Sequence, residues 1–196
     1  MLTKIKQKVQ SWLTAEAKMA HDVGLTPNHL SILGILFAFF SALTYAMWNR
    51  HPAMLIVASA FLLISGFCDA LDGVVARLYG ETTTFGGFLD SLLDRYADAI
   101  VLCGIMLGGL CKLGWGFAAL SGSLLVSYAR SRAEAEGVKM ESVGFLERAE
   151  RIILLATVSL VAAIWLNALS WGIILLAILT NLTVIQRVIY FYKSSR

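Results

Sequence analysis

Four carboxylates, Asp69, Asp72, Asp90 and Asp94, stand in two tight pairs inside the stretch CDALDGVVARLYGETTTFGGFLDSLLDRYADA, Cys68 to Ala99, of an otherwise apolar chain. Asp69 and Asp72 are spaced i,i+3 and Asp90 and Asp94 i,i+4, so on helices each pair shares a face. Gly73 and Ala76 fall within about 40° of Asp69 on a helical wheel. That face is therefore free of bulk, with room for a ligand. Four carboxylates cannot all stay ionised close together without relief. Arg77 and Arg95 balance two of them; protonation or bound cations are the other sources. Oxygen-only donors favour hard ions, Mg2+ or Mn2+ rather than Zn2+. Two such ions bridged by shared carboxylates suit phosphoryl chemistry. Acids that merely flank two spans at a water interface would not need paired spacing with small residues between them.

The surrounding chain is built for a bilayer. Of its 196 residues 58% are hydrophobic and 15% charged, against roughly 45–50% and 25% for soluble domains. The mean hydropathy is +0.74. A soluble chain of this length could not hide so much apolar surface. Six runs approach the roughly 20 apolar residues that a span requires: Leu30–Trp48, Pro52–Leu71, Gly87–Cys111, Leu113–Tyr128, Arg151–Leu166 and Leu169–Tyr190. The fourth and fifth are short, and their helices are expected to extend into Ala129–Glu150. Ahead of them, Leu2, Ile5, Val9, Trp12 and Leu13 share one helical arc, with Lys4, Lys8 and Lys18 off it. This predicts an amphipathic helix lying on the membrane surface, broken at His21–Asn28 by Gly24 and Pro27. No removable signal peptide is expected. Cys68, Cys103 and Cys111 have no CxxC spacing and read as packing residues. Gly104 and Gly108 form a small-xxx-small pair for close helix packing, within or between subunits.

Lys and Arg cluster at the termini and in two alternate connections, which places both termini in the cytoplasm. The second span then ends, and the third begins, on that side. The two helices are expected to be antiparallel neighbours, with all four carboxylates at one depth. The fold class is an all-α integral membrane protein of six transmembrane helices preceded by a cytoplasmic interfacial helix. It forms one domain over 1–196, with 1–24 juxtamembrane and 25–196 the helical core. Burying acids in such a core is costly, so they are expected to be functional.

Written out, the stretch is Asp69-x2-Asp72-Gly73-x2-Ala76-Arg77-x8-Gly86-x3-Asp90-x3-Asp94, eight specified positions over 26 residues. It resembles the signature of the CDP-alcohol phosphotransferase family. The likeness extends to the six spans, the N-terminal helix and TPNHLS at Thr26–Ser31. It implies transfer of a phosphatidyl-type group from a CDP-activated lipid to a hydroxyl of a small polar alcohol, releasing CMP. By the same likeness Asp69, Asp72 and Asp90 hold metal ions on the diphosphate. Asp94 ligates the second ion and acts as general base. Gly73, Ala76, Arg77 and Gly86 shape the nucleotide pocket, and Thr83 in the linking loop bonds a phosphate oxygen. Asn28 either touches the nucleotide or starts the first helix. Asp98 lies outside the signature, as a partner for Arg95 or for the metal ligands. The likeness also suggests a homodimer in the cytoplasmic membrane with its site facing the cytoplasm, and no nucleic-acid partner.

The acceptor is read from SYARSRAEAEGVKMESVGFLERAER, Ser127–Arg151, and from Arg187, an isolated cation in the last apolar run. If Arg130, Arg151 and Arg187 face one cavity, they make an anion site suited to phosphate. Arg132 and Arg148 are read instead as pairing with neighbouring glutamates. RSRAEAEG and ERAER resemble the branch of the family that uses inositol 1-phosphate, the phosphatidylinositol-phosphate and archaetidylinositol-phosphate synthases. Glycerol 3-phosphate, also an anionic alcohol, is the nearest alternative acceptor. The alternative from another class is a divalent-cation or proton-coupled transporter, which predicts acids spread across the bilayer depth; here they gather on one side.

Overall fold

Prolines open the first two long helices, and a glycine closes the second. The computed structural model describes residues 13–49, 51–140 and 143–195, and all the regular elements among them are helices. A helix over residues 13–22 (α1) is followed by α2 (Pro27–Ala46), α3 (Pro52–Tyr79), α4 (Thr84–Leu107), α5 (Leu113–Ala135), α6 (Arg148–Ala162) and α7 (Asn167–Ser194). Pro27 and Pro52 sit in the first helical turn, where a missing N–H costs nothing. Gly80 ends α3 at φ 69°, a left-handed conformation that other residues adopt only with strain. Each of the six apolar runs falls mainly on one helix, although Leu30–Trp48, Gly87–Cys111 and Arg151–Leu166 run past the ends of α2, α4 and α6. α3 continues past the expected end at Leu71 to Tyr79, and α5 and α6 extend into the charged connection, as their composition suggested.

α2, α3 and α7 are long and apolar enough to cross a membrane. α2 turns Ile32, Leu36, Phe39, Phe40 and Leu43 outward, as a helix solvated by lipid can. α4 is interrupted by charge, and α6, at 15 residues, is about 22 Å long. Leu2, Ile5, Val9 and Trp12, which carry the amphipathic pattern, lie outside the described residues. In α1 itself, Ala17 is buried and Leu13 packs with it against Leu30, Leu71 and Val75. The His21 ring stacks on Tyr79, centroids 3.5 Å apart, tying α1 to the end of α3.

The helices pack in a closed ring: α2 on α3, α3 on α6, α6 on α7, α7 on α5, α5 on α4, and α4 back on α2. This corrects the expectation that α3 and α4 are packed neighbours. Their short connection holds the ends together, but α2 is the packing partner of both. The space left between them is where their carboxylates meet.

Two glycines explain how α2 approaches α4. A Cβ on Gly104 would collide with the backbone of Ala42, and one on Gly108 with the Tyr45 carbonyl. The small-xxx-small pair thus serves packing within the chain. Trp48 Nε1 donates to the Gly108 carbonyl at 2.8 Å. Deeper in the ring, hydroxyls link helices: Tyr45 and Ser159 lie 2.6 Å apart, and Ser41 and Ser59 donate to the carbonyls of Ala58 and Ala156. In a lipid-solvated bundle such bonds fix the pairing of helices that are apolar on every side.

Candidate active site

The acidic pairs converge at the α3–α4 end of the ring. One carboxylate oxygen from each of Asp69, Asp72 and Asp90 lies within 4.8 Å of the others. Asp72 is only 5% exposed, and Ser31 Oγ of α2 donates to its Oδ2 at 2.6 Å. Three oxygen donors from two helices at this spacing fit a hard divalent ion. Asp94 stands outside the trio and is joined to it by Arg148. Its Nη1 lies 2.5 Å from Asp69 Oδ2 and 2.9 Å from Asp94 Oδ1, pairing with both by charge.

The pairing of Arg148 with neighbouring glutamates is therefore corrected. As the first residue of α6, it points across the ring rather than back along its own connection, because three acids there offer more compensation than exposed glutamates do. Arg132, by contrast, pairs with Glu136 one turn away, as expected. Arg95 lies 3.6 Å from Asp94 and also donates to the Ser91 carbonyl.

Beside the trio lies an open cleft lined by Asn28, Ser31, Asp72, Gly73, Ala76, Arg77, Thr83, Gly86 and Asp90, among others. All six residues expected at the nucleotide, Asn28, Gly73, Ala76, Arg77, Thr83 and Gly86, share this one cleft. Local structure explains two of them. Thr26 caps α2, accepting from the His29 amide at 3.3 Å, and His29 Nδ1 accepts from the Thr26 amide. Helix initiation is thus carried out without Asn28, whose side chain is left to line the cleft. Thr83 caps α4 by accepting from the Gly86 amide at 2.9 Å; its own O–H remains available as a donor. A Cβ on Gly86 would press on that hydroxyl at 2.9 Å and on Asn28 Oδ1 at 3.4 Å.

On the other side of the acids, a second pocket is lined by Asp94, Arg95, Ser127, Arg130, Glu147, Arg148, Arg151 and Arg187, among others. The three arginines chosen from the sequence, Arg130, Arg151 and Arg187, thus share one cavity, with Arg95 and Arg148 beside them. Arg130 pairs with Glu134 at 2.9 Å. Arg151, 3% exposed, donates to Asp98 Oδ2 at 2.6 Å. Arg187 donates to the carbonyls of Val143 at 2.9 Å and Val126 at 2.5 Å, which fastens the connection before α6 to α5. A narrow gap between cleft and pocket is lined by Ser31, Gly34, Asp69, Asp90, Asp94 and Arg148, among others.

Sequence reasoning missed Ser31 and placed Arg148 wrongly. Ser31 closes the TPNHLS stretch, and its spacing from Asn28 is the one signal that could have drawn it in.

The chain matches the family model described as CDP-alcohol phosphatidyltransferase over residues 24–186. It is 43% identical over 188 residues to the archaetidylinositol phosphate synthase of Pyrococcus horikoshii, covering 96% of this chain and 95% of that one. It is 35% identical over 183 residues to the phosphatidylinositol phosphate synthase of Mycobacterium tuberculosis, covering 84% of this chain and 78% of that one. A crystal structure of the phosphatidylinositol phosphate synthase of Mycobacterium tuberculosis with CDP-DAG bound superposes with a TM-score of 0.79 at 32% identity, covering 92% and 93% of the two chains. Another structure of that synthase, in complex with manganese and citrate, has the same TM-score, with 92% and 88% covered. These likenesses set aside the transporter alternative, and with three apolar helices they make this a multi-pass membrane protein. The chain belongs to the CDP-alcohol phosphatidyltransferase family.

Proposed function

We propose that this protein transfers the phosphatidyl or archaetidyl group of a CDP-activated lipid to a hydroxyl of inositol 1-phosphate and releases CMP. The observation that carries the reading is the order of features along one surface. A cleft walled by glycine and alanine ends at Asp72 and Asp90, and a pocket with five arginines begins at Asp94. The relatives named above as inositol phosphate synthases support the acceptor.

In this reading the cytidine diphosphate lies along Gly73, Ala76 and Gly86, where a side chain larger than methyl would fill the cleft. Arg77 and the Thr83 hydroxyl bond its phosphate oxygens. Asp69, Asp72 and Asp90 would hold divalent ions, Mg2+ or Mn2+, on the diphosphate, and Asp94 would ligate the second in exchange for its contact with Arg148. Such ions supply neutralisation of the diphosphate and of the CMP leaving group. Arg130, Arg151 and Arg187 bind the acceptor phosphate, which aims a ring hydroxyl at Asp94. Asp94 takes the hydroxyl proton as that oxygen bonds to the lipid-bearing phosphorus. The bond from that phosphorus to the bridging oxygen breaks, and CMP leaves with the electron pair.

The same reading has six spanning helices, α2 to α7, with an interfacial helix ahead of them. The termini and the site face the cytoplasm, and two copies of the chain form a homodimer. Mass spectrometry of the lipid formed from CDP-lipid and inositol 1-phosphate tests the reaction. A lipid carrying inositol phosphate is expected; a lipid formed only from glycerol 3-phosphate would replace the acceptor while keeping the transfer chemistry.

A further inference from the structure

Asp98 lies one helical turn beyond Asp94 on α4, outside the signature spacing, and it does not pair with Arg95. Its Oδ2 accepts from Arg151 Nη2 at 2.6 Å, and its Oδ1 lies 3.7 Å from Arg148 Nε. α4 and α6 are not neighbours in the ring of helices, so these contacts reach across its interior. With Arg148 on Asp94, they connect the helix that carries half of the acids to the helix that carries two of the pocket arginines.

Each partner has donors left over. Arg151 is 3% exposed, and its Nε is buried without a hydrogen-bond partner. A buried guanidinium held by one carboxylate, with a further donor unmet, is oriented but not satisfied. Asp98 itself is set back: it lines the apolar space behind Arg148 and Arg151 with Val101, Leu102 and Leu155, and not the arginine pocket. Its position suits holding the arginines rather than touching a substrate.

We propose that Asp98 is a positioning residue for the acceptor pocket, fixing Arg151 and steadying Arg148 so that the anion-binding groups on α6 stay in register with the acids on α4. The inference rests on the acceptor pocket proposed above and adds the group that orients it. It predicts a defect confined to the acceptor side. The lipid cleft is built from other contacts, and the trio meets Asp98 only through Arg148, which keeps Asp69 and Asp94 as nearer partners.

The test is steady-state kinetics of the full-length protein carrying Asp98→Asn or Asp98→Glu, with acceptor and CDP-lipid varied separately, beside Mn2+ binding followed by electron paramagnetic resonance. Asp98→Asn is expected to raise the acceptor KM about 10- to 100-fold, the scale of a lost charge-assisted hydrogen bond. The lipid KM and the Mn2+ affinity should stay within about twofold, within ordinary variation for an untouched site. Asp98→Glu, which keeps the charge, should recover part of the loss, and Arg151→Ala should add little to Asp98→Asn because both remove one unit. Equal losses for both substrates, weakened Mn2+ binding, or additive effects of the two substitutions would overturn the proposal. If Asp98→Asn fails to fold, the acceptor-only shift is read on Asp98→Glu. If the wild type uses glycerol 3-phosphate instead, the same split is measured on that acceptor, so the acceptor reading can fail while the role of Asp98 is still decided. An unchanged acceptor KM in Arg151→Ala would overturn both.

Discussion

Arg148 Nη1 lies 2.5 Å from Asp69 Oδ2, bringing a cation from the start of α6 onto an acid of α3. The same nitrogen reaches Asp94 at 2.9 Å, so one guanidinium joins the α3 and α4 acids. The contact is one of charge, with a single nitrogen serving both carboxylates. The contact makes the start of α6 part of the acidic site, and it separates the space that would take the nucleotide from the space that would take the acceptor.

Replacing Arg148 by Met leaves Asp69 and Asp94 without their shared partner. Removing one side of a buried pair costs about 3–5 kcal/mol, and the Arg148 side chain is 16% exposed. The thermal midpoint in detergent should fall by roughly 6–20 °C at about 2–4 °C per kcal/mol for a chain of this size. Added Mn2+ should restore part of the loss by supplying positive charge between the carboxylates. An unchanged midpoint would show that the pair contributes nothing.

Asp94→Asn should reduce transfer about 10²- to 10⁴-fold, the usual range for a general base. The amide keeps the size of the carboxylate and its contact with Arg148, so the variant should fold and still bind CDP-lipid. A filter-binding measurement with labelled CDP-lipid beside the rate separates these outcomes. Full activity in Asp94→Asn would remove it as the base.

Arg151 and Arg132 make a matched pair for the acceptor pocket. Arg151→Ala should raise the KM for a phosphorylated acceptor about tenfold or more, and that for the lipid far less, as expected when one charged contact to one substrate is lost. Arg132→Ala removes an exposed i,i+4 pair with Glu136 and should change stability by less than about 0.5 kcal/mol, with both KM values near wild type. A similar effect of Arg151→Ala on both substrates would take Arg151 out of the acceptor site.

The acids and the small residues around them were legible because the spacings i,i+3 and i,i+4 belong to single helices, and a helix wheel needs no tertiary information. The six cleft residues came from the family likeness, which lays them on the same two helices, their linker and one residue of α2. Arg148 was not legible. Its partners lie on α3 and α4, fifty or more residues away, while glutamates stand beside it in sequence. The ring order was hidden for a related reason: helices apolar on every side carry no stripe that tells which neighbour they meet. What set α2 against α4 was small residues, and Gly104 gave no sign of whether its partner was another copy or Ala42.

That contact yields a packing prediction. Gly104→Leu forces a side chain into the Ala42 backbone, which cannot move aside as a flexible side chain could. Overpacking of this kind costs about 1–3 kcal/mol or more, so the variant should show a lower midpoint and poor recovery from detergent. Gly114→Ala is the comparison, since nothing lies near its added Cβ. Equal midpoints for the two variants would argue against the tight α2–α4 approach.

CMP release from purified protein with CDP-lipid and Mn2+ or Mg2+ decides the reaction and its acceptor together, with inositol 1-phosphate, glycerol 3-phosphate, serine and free inositol offered one at a time. The proposed reaction requires turnover with inositol 1-phosphate, loss of that turnover on chelation, and none with free inositol, which has no phosphate for the arginines. Turnover with free inositol at a comparable rate, or silence with every acceptor and both acyl and isoprenoid lipid donors, would contradict it.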